Sequence, residues 1–258
     1  MADNDDYKIA AVIKVLRTLK QFSAEEKELT LTQLSNRTGI NKSNMLRILV
    51  SLESEGFVKF DEELKKYRLG ITMYNLGNTA FGFLDIKKIC YPILRKASKD
   101  LQLLIHLAVE LDGQVLVIDR IWPNNHEDIA GLVSKIGGTV PLHCTGVGKV
   151  IAAYVEPKKL DRLIRDCDFK KYSEKTITSK ETFLRCVEEV RRNGYAINDC
   201  EHENYLRCLT RPIFDSSGKF IAAFSLSGLS EIMDDERMKD FQIASKEIAK
   251  SLCKEFGA

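Results

Sequence analysis

No stretch of this 258-residue chain approaches the roughly 18 consecutive apolar residues of a membrane span. Val115-Leu116-Val117-Ile118 is typical of its longest apolar runs. The start, Met1-Ala2-Asp3-Asn4-Asp5-Asp6, lacks the basic residues and apolar core of a secretory signal. The seven cysteines (Cys90, Cys144, Cys167, Cys186, Cys200, Cys208, Cys253) contain no Cys-x-x-Cys pair, and their count is odd. That excludes both a disulfide framework and a zinc-finger signature. Reduced thiols, a cytoplasmic location and no membrane partner are the expectation. Charge of one sign is missing too: 39 basic against 37 acidic residues leave a net +2. A uniformly basic coat is excluded, but a basic face is not, because a local patch disappears in a balanced total.

What is present is enough apolar sequence for a core (44% hydrophobic, 29% charged). At roughly 100–200 residues per domain, the length fits one large domain or two modest ones. Ile9, Val12, Ile13, Leu16 and Leu19 recur at three- and four-residue steps and predict a first helix. Thr30 is a good N-cap for a second helix through Leu31, Leu34 and Arg37, stopped at Thr38-Gly39. Asn41 caps a third, with Met45, Ile48, Leu49 and Leu52 inward and an end near Gly56. Phe57–Phe60 and Lys66–Leu69, joined by the polar turn at Asp61, Glu62 and Glu63, predict a β-hairpin. Three helices followed by a hairpin describe a winged helix-turn-helix over residues 1–70.

The charges within this unit are unevenly placed. Met1–Gly70 holds 12 Lys/Arg against 11 Asp/Glu, yet Leu29–Leu52 has Arg37, Lys42 and Arg47 and no acid. Lys42, Ser43 and Asn44 open the third helix and Arg47 follows one turn later, where a recognition helix contacts base edges and phosphates. Lys65, Lys66 and Arg68 on the wing suit phosphate contacts that fix register. The bland alternative is a three-helix scaffold with a solvated charged face.

Residues 71–85 (Met73, Leu76, Phe81, Phe83) read as an apolar linker helix weakened by Gly77 and Gly82. Such a helix is buried either against its own chain or in a dimer. Residues 86–258 read as a second, α+β domain. A helix spans 86–101, with Pro92 implying a kink or a late start. Two β-rich runs, 103–109 and 115–121, flank Asp112-Gly113, a strong hairpin signal. A helix at Ser179–Asn193 stops at Gly194, strands at 206–213 and 220–227 pair across a turn, and 234–256 is a closing helix. Gly146, Val147, Gly148 and Lys149 open another helix, whose N-terminal N–H groups suit a carboxylate. They do not form a phosphate loop, because Val150 follows the lysine and the upstream glycine spacing fails.

Together, Leu29–Leu34, Thr38–Ser43, Arg47–Leu49, Leu52–Gly56 and Tyr67–Gly70 resemble the DNA-binding half of the IclR-type bacterial transcriptional regulators. Gly137–Lys149, Gly194–Glu201, Leu206–Leu209, Pro212-Ile213 and Ser225–Gly228 resemble that family's C-terminal domain. The resemblance covers roughly residues 7–250 and implies a GAF-like effector-binding domain with an antiparallel sheet. It further implies a pocket at Gly146, Val147, Asn198, Cys208, Ser225 and Ser227, with Ile129 and Leu132 as apolar walls. The chain departs from the family pattern at Asn198, where an acid is frequent, at Val147, where alanine is common, and at Asn204-Tyr205, which replace Pro-Gly. The implied function is a transcriptional regulator, expected to repress, with an operator affinity set by a small carboxylate metabolite. Its partners are double-stranded operator DNA and further copies of the chain, as a dimer or dimer of dimers. No catalytic residue, cofactor or metal is expected. The competing reading is a Cys-dependent enzyme or a thiol- or metal-dependent sensor, in which Cys200, Glu201, His202 and Cys208 assemble with His143, or His143-Cys144 supplies a nucleophile, and the N-terminal domain only mediates protein contacts.

Overall fold

The computed structural model describes residues 8–23, 26–80, 83–123 and 135–258. The chain divides into two compact units, 1–82 and 83–258.

The N-terminal unit contains α1 (Ala10–Leu19), β1 (Glu28–Leu29), α2 (Leu31–Thr38), α3 (Lys42–Ser54), β2 (Val58–Asp61), β3 (Lys66–Leu69) and α4 (Ile71–Ala80). Local chemistry sets the helix ends. Thr30 and Gln33 form a capping box at α2: the Gln33 N–H donates to Thr30 Oγ1 at 3.2 Å and the Thr30 N–H to Gln33 Oε1 at 2.8 Å. Gly39, at φ +70°, stops α2 in the left-handed conformation, and Asn41 Oδ1 accepts the Asn44 N–H at 2.9 Å to start α3. Leu29, Leu34, Met45 and Leu49 are fully buried and join the helices to Val58 and Tyr67 of the wing. The hairpin expected from sequence acquires a third strand, since β1 pairs with β3 through Glu28↔Arg68 and Leu29↔Tyr67.

The C-terminal unit runs α5 (Phe83–Leu101), β4 (Leu104–Leu111), β5 (Gln114–Ile121), β6 (Thr139–Val140), α6 (Gly146–Tyr154) and α7 (Pro157–Arg165), then α8 (Lys180–Asn193), β7 (Ala196–Asp199), β8 (Leu206–Phe214), β9 (Phe220–Leu229) and α9 (Asp235–Glu255). α5 starts three residues earlier than the sequence suggests and continues through Pro92. A sheet of order β6-β5-β4-β9-β8-β7, antiparallel throughout, lies between two helical layers. One core joins the sheet to α5 and α9 through Leu94, Ile105, Leu209, Phe224 and Leu252; the other joins it to α6 and α8 through Ala108, Val150, Phe183, Val187 and Ala223. With both faces covered, β4 and β9 each bury six consecutive residues, with no alternation of buried and exposed positions along that run. The Asp112-Gly113 turn takes positive φ at both positions, 50° and 79°, as a two-residue hairpin requires.

Candidate functional site

Two places in the chain concentrate polar chemistry. In the N-terminal unit, Lys42, Ser43, Asn44 and Arg47 are all exposed along the first turns of α3. Leu46 and Val50, 46% and 57% exposed, lie on the row that continues from Lys42 at four-residue steps, an apolar strip beside the basic and polar residues. Arg37 is differently placed. Glu26 accepts two hydrogen bonds from its guanidinium, both 2.7 Å, and this carboxylate raises the Arg37 pKa. On the wing, Lys65 sits over the Phe60 ring, Lys66 faces Glu28 at 4.0 Å and Arg68 is exposed. The acid-free stretch of sequence is therefore not acid-free in space at Arg37.

The second place is a cavity of about 720 Å³ in the C-terminal unit, a size suited to a small organic ligand. Sheet register builds its floor. His106 pairs with Ser225 and Ser225 with Thr210; Ser227 pairs with Cys208 and Cys208 with Asn198. Two adjacent rows of hydroxyl, thiol, amide and imidazole groups thus share one face of the sheet, the face that α6 covers. Thr210 Oγ1 donates to Ser225 Oγ at 2.9 Å, Ser225 Oγ lies 3.5 Å from Ser227 Oγ, and Ser227 Oγ lies 3.2 Å from His106 Nδ1. His106 Nε2 is buried and has no hydrogen-bond partner among the described residues. Burial first, and then the Arg120 charge, lowers the His106 pKa to about 3, so the imidazole is neutral near pH 7.

The N-terminus of α6 forms part of the opposite wall. Thr145 caps it, accepting the Gly148 N–H at 3.1 Å and donating to Pro141 O at 2.7 Å. The first-turn N–H groups of Gly146 and Val147 have no acceptor within the helix, and both residues line the cavity. Close approach explains the glycines: a Cβ on Gly146 would lie 2.1 Å from Thr210 Oγ1, and one on Gly148 2.2 Å from Leu142 O. Lys149, which a phosphate loop would need free, is buried. Its ammonium is bound to the Glu201 carboxylate and, at 3.0 Å, to Ile197 O, tying α6 to β7.

Gly146, Val147, Asn198, Cys208, Ser225 and Ser227 all line this cavity. Ile129 and Leu132 lie outside the described residues. Sequence reasoning did not select His106, Thr210 or Tyr172. His106 interrupts the apolar run Leu104-Ile105-His106-Leu107, a weak signal that could have flagged it. Cys144 is a poor nucleophile here. Cys144 is fully buried, and burial, then Glu201, pushes its pKa up to about 12. His143 turns away from that neighbour: its Nδ1 lies 3.3 Å from Cys167 Sγ and its Nε2 donates to Lys170 O at 2.9 Å. The cluster expected from Cys200, Glu201, His202, Cys208 and His143 is not the one assembled, since His143 groups instead with Cys167 and Asp168.

A winged helix-turn-helix joined to a sheet domain with a ligand-sized cavity defines a ligand-responsive DNA-binding regulator. The family described as bacterial transcriptional regulator IclR C-terminal matches residues 78–254, and the IclR helix-turn-helix domain matches residues 11–62. The chain belongs to the IclR family of bacterial transcriptional regulators. It is similar to the HTH-type transcriptional regulator KdgR of Escherichia coli (29% identical over 255 residues, 99% of this chain and 95% of the relative). The transcriptional repressor IclR of the same organism is 25% identical over 96% of this chain and 90% of its own length. Both are named for a non-enzymatic role, which disfavours the enzyme alternative. Among solved structures, Thermotoga maritima IclR matches at TM-score 0.77 with 25% identity, covering 96% of this chain and 98% of that one. An IclR homologue from Microbacterium hydrocarbonoxydans, complexed with 4-hydroxybenzoate, shares the fold at TM-score 0.80 with 19% identity over 96% and 99% of the two chains. Among the described residues, no helix is long and apolar enough to cross a membrane.

Proposed function

We propose that this regulator is a cytoplasmic repressor whose operator affinity is controlled by a small carboxylate metabolite. In this reading residues 1–70 read DNA, 71–85 link, and 86–258 bind the effector. Lys42, Ser43, Asn44 and Arg47 contact the major groove, Lys65, Lys66 and Arg68 contact phosphates, and Arg37 contributes once Glu26 releases it. The observation that carries the effector half is the convergence on one cavity of Gly146 and Val147, in the first turn of α6, with Asn198, Cys208, Ser225 and Ser227. A carboxylate gains from the α6 N-terminus and from neutral donors. No cationic side chain is required, which fits a His106 that stays uncharged. Ile129 and Leu132 remain the proposed apolar walls.

Self-association supports the DNA half. Ile9, Val12 and Leu16 are at least half exposed at helical spacing on and just before α1, and Ile71, Tyr74 and Leu76 are similarly exposed along α4. These apolar surfaces suit a dimer or dimer of dimers, which would align two recognition helices with two half-sites. The test is a thermal-shift screen of aliphatic, aromatic and sugar carboxylates. A ligand at 100 times its Kd stabilises by about 2.7 kcal/mol. Absence of any stabilising carboxylate would overturn the effector assignment, and unchanged operator binding by Arg47→Ala would overturn the recognition helix.

A further inference from the structure

A second cluster of ligating groups lines the same cavity and has no part in effector binding as proposed. His143, Cys167 and Asp168 each offer one ligating atom, and the three atoms lie within 4.8 Å of one another. His143 Nδ1 and Cys167 Sγ are 3.3 Å apart. With Zn–S near 2.3 Å and Zn–N near 2.0 Å, tetrahedral coordination sets an N–S separation of about 3.5 Å, so these two atoms already stand at metal-bound spacing.

The imidazole is also held in the required tautomer. Lys170 O can only accept, so the proton in the 2.9 Å contact belongs to His143 Nε2 and the Nδ1 lone pair faces Cys167. A histidine that ligates through one nitrogen while the other donates to a backbone carbonyl is the usual outer-sphere support of a metal site. The turn that delivers Cys167, Asp168 and the Lys170 carbonyl to His143 is built at a conformational cost, because Phe169 lies at φ +49°, a left-handed conformation unfavourable to a bulky residue. Asp168, exposed, accepts the Lys170 N–H on Oδ1 at 3.1 Å and has a second carboxylate oxygen to offer.

We propose that His143, Cys167 and Asp168 bind one divalent transition-metal ion of the zinc type, with a fourth coordination position open to the cavity. On binding, the Cys167 S–H bond breaks, its proton leaves to solvent and the thiolate donates its electron pair to the cation. Thiolate and carboxylate then balance the two positive charges, so the loaded, partly buried site is neutral. One nitrogen, one sulfur and one oxygen favour a borderline cation over magnesium or calcium. Three protein ligands with an open position are the arrangement of reactive rather than structural zinc sites, and here the open position can take water or an anionic group. The proposal is independent of the carboxylate assignment, because it needs neither effector nor DNA.

The full-length protein, stripped with a chelator and dialysed, is titrated with Co²⁺ and then Zn²⁺. The expected result is one Co²⁺ per chain with a thiolate-to-cobalt charge-transfer band, bleached as Zn²⁺ displaces it and unaffected by Mg²⁺. Cys167→Ser removes the band, whereas Cys186→Ser keeps it. Asp168→Asn, a surface change that leaves folding intact should the cysteine variant fail to fold, keeps the band but weakens affinity at least about 10-fold. Absence of a band, a band that survives Cys167→Ser, or equal affinity in Asp168→Asn and the parent each overturns the site.

Discussion

In the N-terminal unit, four candidate DNA contacts fall within the six positions Lys42 to Arg47 and stand exposed side by side on one helix. In the C-terminal unit, the cavity draws on residues from His106 to Ser227, and His106, Asn198, Ser225 and Ser227 are each at least nine-tenths buried. The first surface needs only a correctly capped helix and a core beneath it. The second needs the register of four strands and the approach of a helix N-terminus to the sheet. The contrast predicts different sensitivities: the reader loses contacts one at a time, whereas the cavity is disturbed whenever its frame shifts.

The sharpest test of that contrast uses one glycine in each unit. Gly148→Ala sets a Cβ 2.2 Å from a backbone carbonyl oxygen that cannot rotate away. A loss of about 3 kcal/mol in the C-terminal unit is expected. Gly39→Ala meets open space and carries only the left-handed penalty, roughly 1 kcal/mol, in the N-terminal unit. Urea denaturation followed by circular dichroism measures both, and equal losses would break the distinction.

Acid provides the next largest effect. The folded-state pKa of His106 is lowered from 6.5 to about 3, so below pH 6.5 the unfolded chain binds a proton that the folded chain refuses. Stability on this account is present above pH 6.5 and declines as pH falls toward 3, by about 2 kcal/mol between pH 6.5 and 5. His106→Gln removes that component of the slope. Parallel pH profiles for the two proteins would show that the imidazole is not held neutral by burial. A smaller loss, about 1–2 kcal/mol, is expected for Ser225→Ala, which leaves the fully buried Thr210 hydroxyl without its acceptor. Effector affinity should fall with it; a variant as stable as the parent would remove the hydroxyl row from the cavity's frame.

The same contrast governs what the sequence discloses. Caps at Thr30, Gly39 and Asn41 act over three or four residues, so α2 and α3 are legible to within two residues. The hairpin turn at Asp112-Gly113 was equally local. α7 was overlooked although Pro157 at its first position and Leu160, Leu163 and Ile164 at helical spacing mark it. β1 and β6 have two residues each, too few for any periodicity. Within the cavity, covering both faces of the sheet erases the alternation that would have told which face His106 occupies. The His143–Cys167 contact crosses 24 residues and depends on a turn at Phe169, so no spacing rule announces it. Gly146, Val147, Asn198, Cys208, Ser225 and Ser227 were found through family resemblance, and register alone explains why four of them meet.

Charge divides the DNA-reading surface itself. Counting along the chain makes Arg37, Lys42 and Arg47 equivalent members of an acid-free stretch. Folding separates them, because the first loop returns Glu26 to Arg37, and both guanidinium bonds at 2.7 Å must break before Arg37 can reach a phosphate. Arg47→Ala should therefore weaken operator binding roughly 10- to 100-fold, and Arg37→Ala distinctly less. Glu26→Gln, which removes the competing charge, should strengthen binding and steepen the fall of affinity with salt, by about one unit in the slope of log K against log salt if a single phosphate contact is gained. Gel-shift titrations at several salt concentrations separate these outcomes. If Arg37→Ala costs as much as Arg47→Ala, Glu26 yields its partner to DNA without penalty, and charge read along the sequence counts in full. If Glu26→Gln changes nothing while Arg47→Ala is severe, Arg37 is a structural partner of the first loop and the DNA-reading surface narrows to α3 and the wing.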